Sequence, residues 1–80
     1  MKATVTVMLK TGVLDPQGKA IAHALGTLGF DNVNDVRAGK LIELDLNETD
    51  PAKARSEAED MARKLLANGV IESFKVSVEG

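Results

Sequence analysis

An abrupt change of hydrophobic period marks the stretch TVTVMLKTGVLDPQGKA (residues 4–20). Over residues 5–9 apolar side chains recur at every second position, a pattern that predicts a half-buried β-strand. After Gly12, Asp15 offers a helix N-cap acceptor, and the fixed φ of Pro16 suits the first helical position. The stretch therefore predicts a strand that ends at Gly12 and a helix that begins at Pro16.

The first helix is predicted over residues 16–28. Ile21, Leu25 and Leu28 lie at spacings of four and three, which places them on one stripe of a helix. Gly29 follows at the position where a helix often ends in a left-handed residue. We expect this stripe to face the core.

A second strand is predicted where apolar and polar residues alternate over residues 42–47. The alternation is broken between Val33 and Val36. Residues 33–46 therefore form either two short strands joined by a hairpin turn at residues 37–40 or one long strand with a glycine kink there. The sequence leaves both alternatives open.

The C-terminal part repeats the same signals. Asp50-Pro51 opens a second helix that is predicted to end at Asn68-Gly69. Residues 73–79 then alternate between apolar and polar side chains and predict a last strand. The stripe of the second helix that we expect in the core comprises Ala54, Ala58, Met61, Ala62 and Leu65.

The order β-α-β-(β)-α-β indicates an α+β fold. Strands with one polar face and helices with one apolar stripe are best satisfied when both helices cover one face of a mainly antiparallel sheet. We therefore predict a ferredoxin-like two-layer sandwich, with residues 1–80 as a single domain.

The composition limits the classes of function. The chain has 80 residues and no cysteine, so its core is small and no disulfide supports it, and we expect a homodimer or higher oligomer. Ten basic and twelve acidic residues are mixed along the chain, with two phenylalanines as the only aromatic residues, which argues against nucleic acid as a partner. No long apolar run is present, so we expect a soluble cytoplasmic protein without a membrane partner.

Candidate catalytic and ligand sites are weak. His23 is the only histidine, and it points away from the apolar stripe of its helix, with no acidic partner one turn away. The loop from Gly12 to Gly18-Lys19 has one residue too many for a phosphate-binding P-loop, and Ala20 stands where Ser or Thr is needed. We expect no catalytic, cofactor-binding or metal-ligating residue in this chain.

Four segments carry a resemblance to a known family: VMLKTGVLDPQGKAI (residues 7–21), ALGTLGF (24–30), VRAGKLIEL (36–44) and LANGVIE (66–72). They resemble the PurS family, the small subunit of phosphoribosylformylglycinamidine (FGAM) synthase. The first segment is the most specific, because a Gly-Val-Leu-Asp-Pro-Gln-Gly loop that opens a helix is an unusual combination.

The resemblance implies a role in de novo purine biosynthesis. In such a complex a glutaminase subunit releases ammonia, and a large synthetase subunit binds ATP, magnesium and nucleotide and transfers the ammonia to formylglycinamide ribonucleotide. The PurS-like subunit bridges the two and requires no cofactor of its own. The enzyme would be an ATP-dependent amidotransferase ligase, with its chemistry in the other chains.

Partner contacts are expected in two loops, where conspicuous residues lie outside the predicted core. The expected contact residues are Lys10, Gly12, Val13, Asp15, Pro16, Gln17, Gly18, Arg37 and Lys40. Unpaired edge strands and apolar residues at the ends of elements offer a surface for self-association. Those apolar residues are Val13, Leu14, Val33, Val70 and Ile71.

Two alternatives remain from the residues alone. Ferredoxin-like domains often form regulatory sites, so the chain could be a small-molecule-sensing module. An acylphosphatase-like hydrolase is the other alternative, which the single exposed histidine and the absence of an anion-binding loop make a poor fit.

Overall fold

The computed structural model describes residues 1–79, and strands and helices follow one another in the predicted order. The elements are β1 (Lys2–Leu9), α1 (Pro16–Thr27), β2 (Gly39–Asp45), α2 (Pro51–Met61), a π-helical continuation of α2 (Ala62–Leu66) and β3 (Glu72–Glu79). The α+β class, with two helices and an antiparallel sheet, is confirmed.

The sheet has three strands in the order β2-β1-β3, and both pairings are antiparallel. In this register Val5 of the central strand lies opposite Ile42 on one side and Val76 on the other. Successive side chains of a strand point to opposite faces, so these three residues share the inner face of the sheet. Ala3 and Val7, two positions away on β1, are buried on the same face.

Helix α2 covers this inner face through alanines. Ala54, Ala58 and Ala62 recur every four residues and are fully buried. Residues four apart lie on one side of a helix, and a methyl side chain lets the helix backbone approach the strands closely. The helix lies over β3 and β1 and makes no comparable contact with β2, so one helix covers only part of the face.

Two residues that were predicted in the core of α2 are exposed. Met61 is 38% exposed and Leu65 is 83% exposed. The alanines define the side of the helix that is buried. Met61 and Leu65 each come one residue before a buried or half-buried position, so each points about 100° away from that position around the helix axis. Leu66, in the π-helical continuation, packs against the core instead.

The segment before β2 forms neither a hairpin of two short strands nor one long kinked strand, the two alternatives that the sequence left open. β2 is a single strand that begins at Gly39, and residues 33–38 belong to no strand. Two of their N–H groups bond to carboxylates, Val36 to Asp35 and Ala38 to Asp15. The optional fourth strand is therefore absent from the described part of the chain.

Helix α1 has the predicted ends. Asp15 is the N-cap, and Pro16 follows at the first helical position. At the other end Gly29 has a φ of +96°, and the N–H of Phe30 bonds to the carbonyl of Leu25 at 3.0 Å. This left-handed residue and the backward hydrogen bond form a Schellman motif, which ends the helix where the glycine predicts.

Helix α1 stands away from the sheet within one chain. It makes no packing contact with the strands comparable to that of α2, and Gly18 is its only buried residue. Its apolar stripe is largely uncovered, with Leu28 73% exposed, Ile21 38% exposed and Leu25 half-buried. The radius of gyration is 15.9 Å, against about 12 Å for a compact chain of this length. The molecule is therefore elongated, and the expectation that this stripe faces the core of its own chain is wrong.

Candidate functional site

The two loops that flank α1 meet at Asp15, beside the start of the helix. Its Oδ1 accepts the N–H of Gly18 at 2.9 Å, and its Oδ2 accepts the N–H of Ala38 at 2.8 Å. One carboxylate thus caps α1 and also holds the residue that precedes β2. We call residues 9–18 and 36–40, which this side chain connects, the loop junction.

Two further contacts close the loop junction. The guanidinium of Arg37 donates from Nη2 to the carbonyl oxygen of Leu9, at the end of β1. Gly18 lies so close to the neighbouring loop that a Cβ there would overlap the carbonyl oxygen of Val36. The structure therefore brings the predicted residues Asp15, Gly18 and Arg37 together, and it gives each of them a role inside the chain.

The pKa of Asp15 is lowered from its ordinary value. The N–H of Gly18 contributes most and the N–H of Ala38 next, since both bond to the charged form of the carboxylate. Partial burial acts in the opposite direction, and the nearby charge of Arg37 adds to the lowering. The side chain is therefore ionised at neutral pH, and both of its oxygens are acceptors.

Lys10 and Lys40 also bond within the chain, at the C-terminal end of the second helix. Lys10 Nζ donates to the carbonyl oxygen of Gly69 at 2.9 Å, and Lys40 Nζ donates to that of Leu66 at 3.3 Å. Lys40 Nζ also lies 3.8 Å from a carboxylate oxygen of Glu72. Cations at this position suit the negative end of the helix dipole. Both ammonium groups remain exposed, so a role in partner contact stays a prediction.

The other predicted contact residues lie on the surface of the loop junction. Gly12 has a φ of +90°, which a turn beside the hydrogen bond from Val13 N–H to Lys10 O at 3.1 Å requires. Pro16 and Gln17 are exposed, and Val13 is half-buried. Residues 11–15, with Lys19 and residues 35–37, line an open groove of about 390 Å³. Contact of these residues with a partner stays a prediction.

Within residues 1–79 no group of three His, Asp or Glu side chains is arranged to hold a metal ion, and His23 is exposed. In the same part of the chain, each helix is too short or too polar to cross a membrane.

One exposed surface differs from the sequence interpretation, which placed Ile21 and Leu28 in the core and Val33 on a surface for self-association. It comprises the exposed apolar side chains of α1 and the segment after it, namely Ile21, Leu28, Phe30 and Val33. We call it the α1 apolar surface. The sequence shows that this helix has an apolar stripe, and no local signal shows whether its own sheet or another chain covers that stripe.

The sequence interpretation also missed a side-chain contact at one edge of the sheet. Arg55 of α2 donates from Nη1 to the carbonyl oxygen of Val76 at 2.7 Å. Since β3 pairs only with β1, this carbonyl lies on the outer edge of the sheet. An arginine on a helix face is usually read as a solvated charge, so the sequence did not indicate this contact.

Comparison with known proteins connects this architecture to one family. The family model described as PurS, phosphoribosylformylglycinamidine (FGAM) synthase, matches residues 2–80. The chain belongs to the PurS family. The FGAM synthase subunit PurS of Methanocaldococcus jannaschii is 45% identical over 78 residues, which cover 98% of this chain and 94% of that protein. The resemblance read from the four segments is confirmed.

Solved PurS structures have the same fold. The crystal structure of the Methanocaldococcus jannaschii PurS aligns with a TM-score of 0.88 at 46% identity, over 98% of this chain and 94% of that one. A chain of the PurLQS structure from Thermotoga maritima aligns with a TM-score of 0.86 at 29% identity, over 95% and 93%. These matches favour the subunit hypothesis over a sensing module or a hydrolase.

The close approach at Gly18 can be tested by replacing glycines of α1 with alanine. Gly18→Ala should lower the free energy of unfolding by roughly 1–2 kcal/mol, because overpacking against the Val36 carbonyl outweighs the better helix propensity of alanine. Gly26→Ala is the matched control, since a Cβ there meets nothing within 4 Å, and it should stabilise by about 0.5–1 kcal/mol. Urea denaturation measures both. Equal stabilisation by the two variants would show that the approach is not tight.

The lowered pKa of Asp15 predicts an acid-dependent loss of stability. A carboxyl group whose pKa is lower in the folded chain stabilises it fully above the unfolded pKa, here near 3.8, and this contribution disappears as the pH falls through the folded pKa. The stability advantage of the wild type over Asp15→Asn should therefore be constant between about pH 5 and 7 and shrink below about pH 4. Denaturation in urea across this range measures it. A difference that stays the same at acid pH contradicts the assignment.

Proposed function

We propose that this PurS-family chain is the small, non-catalytic subunit of an FGAM synthase complex in de novo purine biosynthesis. In this role it bridges a glutaminase subunit and a synthetase subunit, so that ammonia from glutamine reaches formylglycinamide ribonucleotide with hydrolysis of ATP. The observation that carries the proposal is the match to PurS subunits over nearly the whole chain, including a chain of PurLQS from Thermotoga maritima.

The chemistry belongs to the partner chains. ATP and magnesium bind to the synthetase subunit, and the cysteine-free small subunit contributes surface and rigidity. Such a role needs no nucleophile and no general base in this chain. It also places the protein in the cytoplasm, where the nucleotide substrates of purine synthesis are made.

Self-association is part of the proposal. The α1 apolar surface lacks a sheet, and the β2 side of the inner face, at Ile42 and Leu44, lacks a helix and is only half-buried. Both surfaces are apolar, so a second copy of the chain can cover them at once. The outer edge of β2 is a further surface for pairing, because β2 bonds only to β1.

A charge on the α1 apolar surface should weaken self-association. Leu28→Glu places a carboxylate where an apolar side chain is 73% exposed, and it should raise the dissociation constant at least tenfold, because burial of a leucine contributes about 2 kcal/mol. His23→Glu adds a carboxylate to the same helix at an exposed position off the stripe, and should have little effect. Sedimentation measures both. A monomeric wild type, or equal effects of the two variants, would contradict this part of the proposal.

The bridging role predicts a selective loss of one reaction. The chain is mixed with the glutaminase and synthetase subunits of the same organism, and ATP turnover is measured with glutamine or with ammonia as the nitrogen source. Omission of the chain should abolish most of the glutamine-dependent turnover and leave the ammonia-dependent turnover intact, because the synthetase still binds its substrates. Unchanged glutamine-dependent turnover would refute the bridging role.

A further inference from the structure

The direction of α1 is set at one end of the helix. Its 12 residues extend about 18 Å from Pro16, and no element within residues 1–79 packs along them as closely as the strands pack on α2. The first turn, at the buried Gly18, lies against the Val36 carbonyl of the loop before β2. A rotation of about 20° at this point would move the far end of the helix by roughly 6 Å.

The Asp15 carboxylate is the side chain that controls this point. Oδ1 bonds to Gly18 inside the helix, and Oδ2 bonds to Ala38, which directly precedes the first residue of β2. The two oxygens thus tie the helix axis to a strand of the sheet. Arg37 holds the same loop to the end of β1, so the anchor point is itself fixed.

The second Asp-Pro opening of the chain provides an internal comparison. Asp50 caps α2 with one side-chain bond, in which the N–H of Ala52 donates to its Oδ1 at 3.0 Å. Helix α2 is oriented by its buried alanines, so it needs no second bond to the sheet. The cross-link to Ala38 is the feature that distinguishes Asp15 from a simple helix cap.

We propose that Asp15 is a positioning residue, which fixes the angle at which α1 leaves the sheet and so holds the α1 apolar surface in the orientation that a second copy of the chain binds. The positional part depends only on the geometry of this chain, and its consequence for assembly rests on the proposed function. A helix that sampled many directions would present this surface correctly for only a fraction of the time. Apparent affinity falls in proportion to that fraction.

Asp15→Asn separates the two bonds. Asparagine has one carbonyl oxygen and remains a good helix cap, but its amide nitrogen would face the N–H of Ala38, donor against donor. The variant should therefore keep α1 and lose the cross-link. Asp50→Asn is the matched control, because the single oxygen of asparagine preserves the one bond that Asp50 makes.

The angle itself can be measured with spin labels, since the chain has no native cysteine. Labels at Gly26→Cys in α1 and Lys75→Cys in β3 report the distance between helix and sheet by pulsed electron resonance, with excess unlabelled chain to remove interchain distances. Asp15→Asn should broaden or shift the distribution by several ångström, up to about 6 Å. Asp50→Asn should match the wild type. An unchanged distribution in Asp15→Asn, with circular dichroism showing an intact fold, overturns the proposal.

The consequence for assembly is tested by titrating the chain into fixed amounts of glutaminase and synthetase subunits. Asp15→Asn should raise the half-saturating concentration of the chain by about tenfold and leave the plateau of glutamine-dependent turnover unchanged. A lower plateau at the same half-saturating concentration contradicts a positioning role. If the wild-type chain itself supports no glutamine-dependent turnover, the proposed function fails, and the spin-label distances still decide the positional part.

Discussion

The carboxylate of Asp15 accepts hydrogen bonds from two peptide N–H groups that belong to different parts of the fold. One group lies in the first turn of α1, and the other precedes β2. Because the acceptor is charged, both bonds are stronger than those between neutral groups, and each N–H has a carboxylate oxygen of its own. The start of α1, the start of β2 and the direction in which the α1 apolar surface points all depend on this one side chain.

The core of a single chain explains why so much depends on so few contacts. Val5 and Val7 are the largest side chains that are fully buried in the described residues, and the other buried apolar side chains are those of alanines. Small domains bury a limited fraction of their surface in any case, and here α1 adds only Gly18 to the buried set. A partner that covers α1 would bury the apolar area that the chain lacks on its own. A partner that binds only the folded state of the chain also stabilises that state, so assembly and stability are linked.

The parts of the fold that the sequence predicted are those controlled by neighbouring residues. Asp15 and Gly29 mark the two ends of α1 because a cap and a left-handed residue act within one turn of the helix. The exposure of Met61 could not be predicted in this way, because alanine is weakly apolar and the sequence pattern did not show that the alanines alone face the sheet. The position of α1 was also missed, since a helical stripe reveals that a surface is apolar and not which chain covers it.

The same limit applies to the candidate site. Conspicuous loop residues were expected to contact partners, which stays a prediction, and Gly18 and Arg37 also have roles inside the chain that depend on the approach of segments distant in sequence. Lys10 and Lys40 likewise bond to carbonyl groups at the end of the second helix, beyond the reach of any local pattern. A spacing of residues identifies the loop as unusual, and only the folded chain shows what each residue binds.

The location of the uncovered surfaces restricts how a partner can approach. Helix α2 lies over β3 and β1, and Arg55 occupies a carbonyl on the outer edge of β3, so this side of the sheet is already covered in part. The α1 apolar surface and the half-buried face of β2 remain, and both elements leave the loop junction at adjacent points. The relative position of the two surfaces therefore depends on the loop junction. Residues there influence assembly through the angle of α1 even where they touch no partner, which reconciles their internal roles with a function in bridging.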